Sequence, residues 1–186
     1  MTFAPPKSIV LESLKEGILV ISGGSHCYFL ERCLFSLDMQ GHKSGAMLCV
    51  NTKENGTAQS DQFAIEWSTA IDDSLRRRNA DVVRSTEYSA CGLAFLVIRE
   101  LTSYTAIEEA PRGTTVDYYL SSKDRDDDLI FNHTARLEVS GIARGDTAAI
   151  NSRIQDKTDR LINHSLPAYI IVVEHSAPVA HMVVKP

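Results

Sequence analysis

Between residues 74 and 101 the apolar positions recur at the spacing of an α-helix, whereas nearly everywhere else they alternate or run together as they do in strands. Leu75, Val82, Val83, Ala90, Leu93, Ala94, Val97, Ile98 and Leu101 make one long stripe, and the polar pair Arg78-Asn79 marks the place for a break. Such a helix cannot bury its stripe alone and needs a sheet to lie on. The chain supplies one. Residues 26–37 (HCYFLERCLFSL) alternate on two sides, 46–50 (AMLCV) form a short apolar run, and Phe63, Ile65 and Trp67 alternate again after a polar loop, 51–61, with an Asn-Gly turn signal.

Beyond the long helix, 105–109 and 114–120 (TTVDYYL) read as strands around a Pro111-Arg112-Gly113 turn, and 133–141 (HTARLEVSG) as a third. Asp146 precedes a second helix over 147–164, with Ile150, Ile154, Leu161 and Ile162 on one stripe. Residues 168–173 (AYIIVV) have the continuous apolarity of a strand buried on both faces, and 180–184 add an edge strand. The expectation is an α/β fold: a mixed sheet with an α-β-β-β-α-β core from residue 74 onward and an N-terminal antiparallel β meander. One domain covers 1–186, with 1–70 packed on 71–186.

At 186 residues the chain buries roughly 70% of its unfolded surface and needs neither a metal nor a disulfide to stay folded. Its net charge of −5 argues against a broadly basic, nucleic-acid-coating protein and leaves room for a local basic groove. No apolar stretch is long enough for a signal peptide or a membrane span. Cys27, Cys33, Cys49 and Cys91 form no CxxC pair and read as thiols of a reducing compartment, so the expected location is cytoplasmic.

The chemistry lies where polar residues occupy apolar faces. Glu87 falls within about 40° of Val83, Ala94 and Ile98 on the helical stripe, so it requires a partner, a task, or a place at the stripe's edge. Lys157 continues the stripe of Ile150, Ile154 and Leu161, where its stem can also snorkel to solvent. Asp117 stands inside a strand, a setting that disfavours aspartate. On the next strand Arg136, Glu138 and Ser140 share one face and Ala135, Leu137 and Val139 the other. Two strand carboxylates brought together repel. A divalent cation relieves this, and removal of either acid is expected to leave the melting temperature unchanged or higher.

In these residues the chain resembles the PD-(D/E)XK nuclease-like superfamily, with its restriction-endonuclease-like fold, over roughly residues 74–175. The segments GTTVDYYL and ARLEVSGI are also similar to those of uncharacterised bacterial proteins of that superfamily. The resemblance implies that Asp117 and Glu138 bind Mg²⁺ or Mn²⁺, that Glu87 completes the metal site, and that DNA is the substrate. Ser140 stands where the motif lysine belongs; in some branches the following helix supplies that lysine, a role Lys157 fills. The implied catalytic set is Asp117, Glu138 and Lys157, with Ser140 and Arg136 on the site face. The alternative is a catalytically inactive module that binds a protein partner or forms a homo-oligomer through the N-terminal β segment.

Other signals are weaker. Arg76, Arg77, Arg78 and Arg84 form a basic cluster that suits nucleic-acid phosphates or simply an exposed helix face. Asp124, Asp126, Asp127 and Asp128 lack EF-hand spacing and read as a solvated run, and 22–25 (SGGS) reads as a turn. His133 and His175 flank strand ends with no partner at ligand spacing, and Ser140 lacks the elbow motif of hydrolases.

Overall fold

A computed structural model describes residues 7–15, 25–114, 116–122, 133–161 and 165–186. The first part contains β1 (Lys7–Val10), a 3₁₀ turn (Leu11–Lys15), α1 (Ser25–Met39), β2 (Ala46–Glu54) and β3 (Thr57–Glu66). Then come α2 (Asp73–Arg78), α3 (Val82–Leu101), β4 (Ala106–Glu109), β5 (Tyr118–Ser121) and β6 (Ala135–Ile142). The chain closes with α4 (Thr147–Arg160), β7 (Ala168–Glu174) and β8 (Val179–Lys185). These strands form one mixed sheet ordered β1-β3-β2-β8-β7-β6-β5-β4.

Register sorts the side chains into two faces. Ile9, Ile65, Leu48, Val50, Ala180, Val173, Ile171, Val139, Leu137, Tyr118 and Leu120 share one face and pack with α1 and α3 in a single apolar core. On the opposite face Leu161, beside the end of α4, packs on Ala168 and Ile170 in a much smaller cluster. We call these the inner and outer faces. Aspartates cap three of the helices: Asp72 accepts from the Leu75 N–H, Asp81 from the Arg84 N–H and Asp146 from the Ala149 N–H. The expected break near Arg78-Asn79 is the junction between α2 and α3.

The N-terminal third departs from the expected meander. Residues 26–37 belong to α1, because a run this densely apolar satisfies a strand pattern and a buried helix equally; from Phe29 to Leu37 the helix is buried on nearly every side. β1 runs parallel to β3, with α1 lying between them in sequence. The polar stretch 51–61 is mostly strand: Asn55 and Gly56, at φ 48° and 81°, turn a hairpin between Glu54 and Thr57. Both of its faces meet water near the tip, so no alternation shows in the sequence.

The last strand also differs. β8 is central, parallel to β2 and antiparallel to β7, and it joins the two ends of the sheet. β5 starts only at Tyr118, four residues later than the β-rich sequence suggests. The expected turn at 22–24 and the acidic run at 124–128 lie outside the described residues, as does Ile162. Among the described residues no helix is long and apolar enough to cross a membrane.

Candidate functional site

β5 pairs with β6 from Tyr118↔Leu137 onward, and among the described residues no strand pairs with the rest of that β6 edge. Carboxylates fill the gap. Asp117 Oδ2 accepts the Val139 N–H at 2.9 Å, and Glu87 Oε2 accepts the Gly141 N–H at 3.2 Å. The Asp117 N–H in turn donates to Glu138 Oε1 at 3.0 Å. Glu87 reaches this edge because α3 lies against β6 at Gly141, where an added Cβ would sit 2.5 Å from the Thr86 carbonyl oxygen. Glycine at 141 is therefore a packing requirement, one that the sequence pattern does not announce.

Lys157 reaches the same place from α4. Its Nζ donates to Glu138 Oε2 at 2.6 Å and to Asp117 Oδ2 at 2.9 Å, both charge-assisted bonds. The Glu138 side chain is only 3% exposed and that of Asp117 is 39% exposed, so the cluster has a buried end and an end open to solvent. Burial raises the Glu138 carboxyl above its usual range; the Lys157 hydrogen bond opposes the shift, and the Asp117 charge adds to it. Burial also works against the Lys157 ammonium, but the Glu138 and Asp117 carboxylates outweigh it and hold its pKa above the usual lysine value.

This geometry overturns one expectation. The two acids do not face each other uncompensated: an ammonium bridges them, so deleting one leaves the other cation–anion contacts to carry a buried charge. Removing Glu138 or Asp117 is expected to destabilise the fold rather than relieve it.

Around the cluster the outer face is polar. Arg136 is 3% exposed; its Nε and Nη2 donate to the Leu166 carbonyl, Nη1 has no hydrogen-bond partner, and burial lowers its pKa. Ser140 is buried on the same face. Tyr119 lies across from Arg136, and Glu108 across from Tyr119. His133 contacts Glu108 Oε2 at 2.6 Å through Nε2 and stacks on Tyr119 with ring centroids 4.0 Å apart. His175 is likewise partnered, by Ser89 and the Ile142 carbonyl, within the interior.

Of the arginine cluster, Arg76 pairs with Asp38 and Arg78 with Glu31, which ties α2 to α1. Arg77 and Arg84 are exposed. Val83, read as part of the buried stripe, is 76% exposed, because α3 enters the core only from Ser85 onward. Glu87 is accordingly half-buried at the margin of the core.

For a divalent cation the donor chemistry is that of hard oxygen ligands. The geometry adds a condition: a cation shared by Asp117 and Glu138 must take the place of the Lys157 ammonium. Among the described residues no group of three or more His, Cys, Asp or Glu side chains is arranged to hold a metal ion. No protein-family model, no curated protein and no solved structure matches this chain.

Proposed function

We propose that the protein is a metal-dependent, nuclease-like hydrolase of DNA phosphodiesters. The observation that carries the reading is that Lys157 of α4 lies within 3 Å of both Glu138 of β6 and Asp117, the residue just before β5, at the point where β5 leaves β6. The order α3-β4-β5-β6-α4-β7, with β7 parallel to β6, supports the restriction-endonuclease-like reading. Lys157 lies where a following helix would deliver the lysine missing from position 140.

Asp117 and Glu138 would hold Mg²⁺ or Mn²⁺, with Glu87 beside them on the β6 edge. The metal would supply an activated water and charge stabilisation at phosphorus. Lys157, released from the carboxylates, keeps its ammonium against the phosphate, and the open Asp117 end admits the substrate.

A second reading has its own support. Ser140 occupies the motif lysine position, and Lys157 already neutralises the two acids as a finished ion cluster. This suits an inactive interaction module that pairs with a second copy through the β1 edge of the sheet.

Calorimetric titration of Mn²⁺ into the wild type and Asp117→Asn, followed by cleavage of supercoiled plasmid, separates the two. The nuclease reading expects Mn²⁺ binding that the variant loses, and metal-dependent nicking by the wild type alone. A folded wild type that binds no Mn²⁺ and leaves the plasmid intact, together with dimerisation in sedimentation, replaces it with the module.

A further inference from the structure

Beside the acid cluster the outer face holds a second buried cation, and its situation is the reverse of that of Lys157. Lys157 is bound by two carboxylates, whereas Arg136, 3% exposed, pairs with none among the described residues. Its Nε and Nη2 donate to one neutral acceptor, the Leu166 carbonyl, and Nη1, closed off from solvent, donates to nothing. Taking a guanidinium out of water is costly, and a neutral carbonyl returns only part of that cost. Nothing in the mechanism above uses this residue.

The acids nearest to Arg136 are already engaged. Glu108 takes His133 Nε2, and Glu138 takes the Lys157 ammonium and the Asp117 N–H. Register places Tyr119 of β5 directly across from Arg136, a relation that sets opposed Cβ atoms about 5 Å apart. His133 stacks on the Tyr119 ring at 4.0 Å and 3°, and Glu108 fixes that imidazole from the other side. The Tyr119 hydroxyl has no hydrogen-bond partner among the described residues. Two neighbouring donors, one cationic and one neutral, are thus left without acceptors. Along β6, Arg136 stands two residues from Glu138 on the same face, about 6.8 Å away.

We infer that Arg136 and Tyr119 form a phosphate-binding subsite next to the acid–lysine cluster. One phosphate oxygen accepts from Arg136 Nη1 and a second from the Tyr119 hydroxyl, the half-buried Tyr119 ring shifting to let the first oxygen in. Bonds from a guanidinium to phosphate are charge-assisted, and the low dielectric of a buried site strengthens them. The inference rests on the nuclease reading for the identity of the ligand, but not for phosphate binding itself. On that reading one phosphate of the DNA strand lies at Asp117 and Glu138, and the next along the strand lies on Arg136. Arg136 then fixes which bond of the strand comes to the acids.

Calorimetric titration of inorganic phosphate in metal-free, low-salt buffer tests this with the wild type, Arg136→Gln and Tyr119→Phe, with Tm as the check on folding. The wild type should bind phosphate. Affinity should fall at least about tenfold in Arg136→Gln and about threefold in Tyr119→Phe, the losses expected for a charged and a neutral hydrogen bond. Tyr119→Phe keeps the ring that stacks on His133, so it decides the matter if Arg136→Gln does not fold. No binding by the wild type, or wild-type affinity in either folded variant, overturns the inference. Acetate that competes as well as phosphate overturns the assignment to phosphate. Phosphate binding that persists while Mn²⁺ binding and nicking are absent would sink the nuclease reading and leave the subsite standing. Mn²⁺ binding and nicking without phosphate binding would do the reverse.

Discussion

One sheet carries two unlike faces. On β6 the residues Leu137 and Val139 point into a continuous apolar core with Phe95, Ile171 and Tyr118, while Arg136, Glu138 and Ser140, one step along the same strand, are buried in the opposite direction. The inner face is what a chain needs in order to fold: burial there returns about 25 cal/mol for every Å² removed from water. The outer face costs stability, since a charge taken from water carries a penalty of several kcal/mol that its partners only partly return. A face that folds at a cost and still gathers Asp117, Glu138 and Lys157 within 3 Å is the place to look for function.

That contrast can be broken from either side. Phe95→Ala on the inner face removes a ring that meets Phe29 and Tyr118 edge-on, and it should cost about 3–5 kcal/mol in urea unfolding. A loss under 1 kcal/mol would mean that this face is not the main core. On the outer face Lys157→Met leaves the two carboxylates without their ammonium and should cost about 3 kcal/mol, the low end for a buried pair because Asp117 is partly open to water. Adding Glu138→Leu to Lys157→Met should restore most of that loss, since replacing buried ions by apolar groups is neutral or stabilising. On the proposed nuclease reading, the single variant should also bind Mn²⁺ more tightly than the wild type while losing cleavage. Unchanged Mn²⁺ affinity would show that lysine and metal do not compete.

A smaller effect marks the rim of the inner core. Glu12 lies in the 3₁₀ turn after β1 and accepts hydrogen bonds from the backbone and side chains of Ser68 and Thr69. Burial would raise its carboxyl, but those bonds outweigh it and bring the pKa down to about 2. A depressed carboxyl contributes stability above its unfolded value and loses it as pH falls. The Tm gap between wild type and Glu12→Gln should therefore be full at neutral pH, shrink below the ordinary glutamate value of 4.5 and close near pH 2. A gap that does not change with pH would assign the contribution to shape rather than charge.

The legible part of this protein was the part in which one face is polar and the other apolar. β6 alternates cleanly, α4 carries a stripe interrupted only by Lys157, and the misplaced polar residues Asp117, Glu138 and Lys157 do converge. α1 was illegible because it is buried on nearly all sides, which erases the difference between periods of 2 and 3.6. The hairpin of β2 and β3 was illegible for the opposite reason, with both faces near its tip in water.

The sequence by itself determined the alternation of helix and strand after residue 81, the inner core stripe and the identity of the acids and the lysine. These follow from local periodicity and from the cost of placing a charge on an apolar face. Only the tertiary structure decided that β8 lies at the centre of the sheet, that Gly141 lets α3 set Glu87 on the β6 edge, and that an ammonium separates Asp117 from Glu138. Each of these is a contact between residues far apart in the chain, where register and close packing, not local pattern, set which atoms meet.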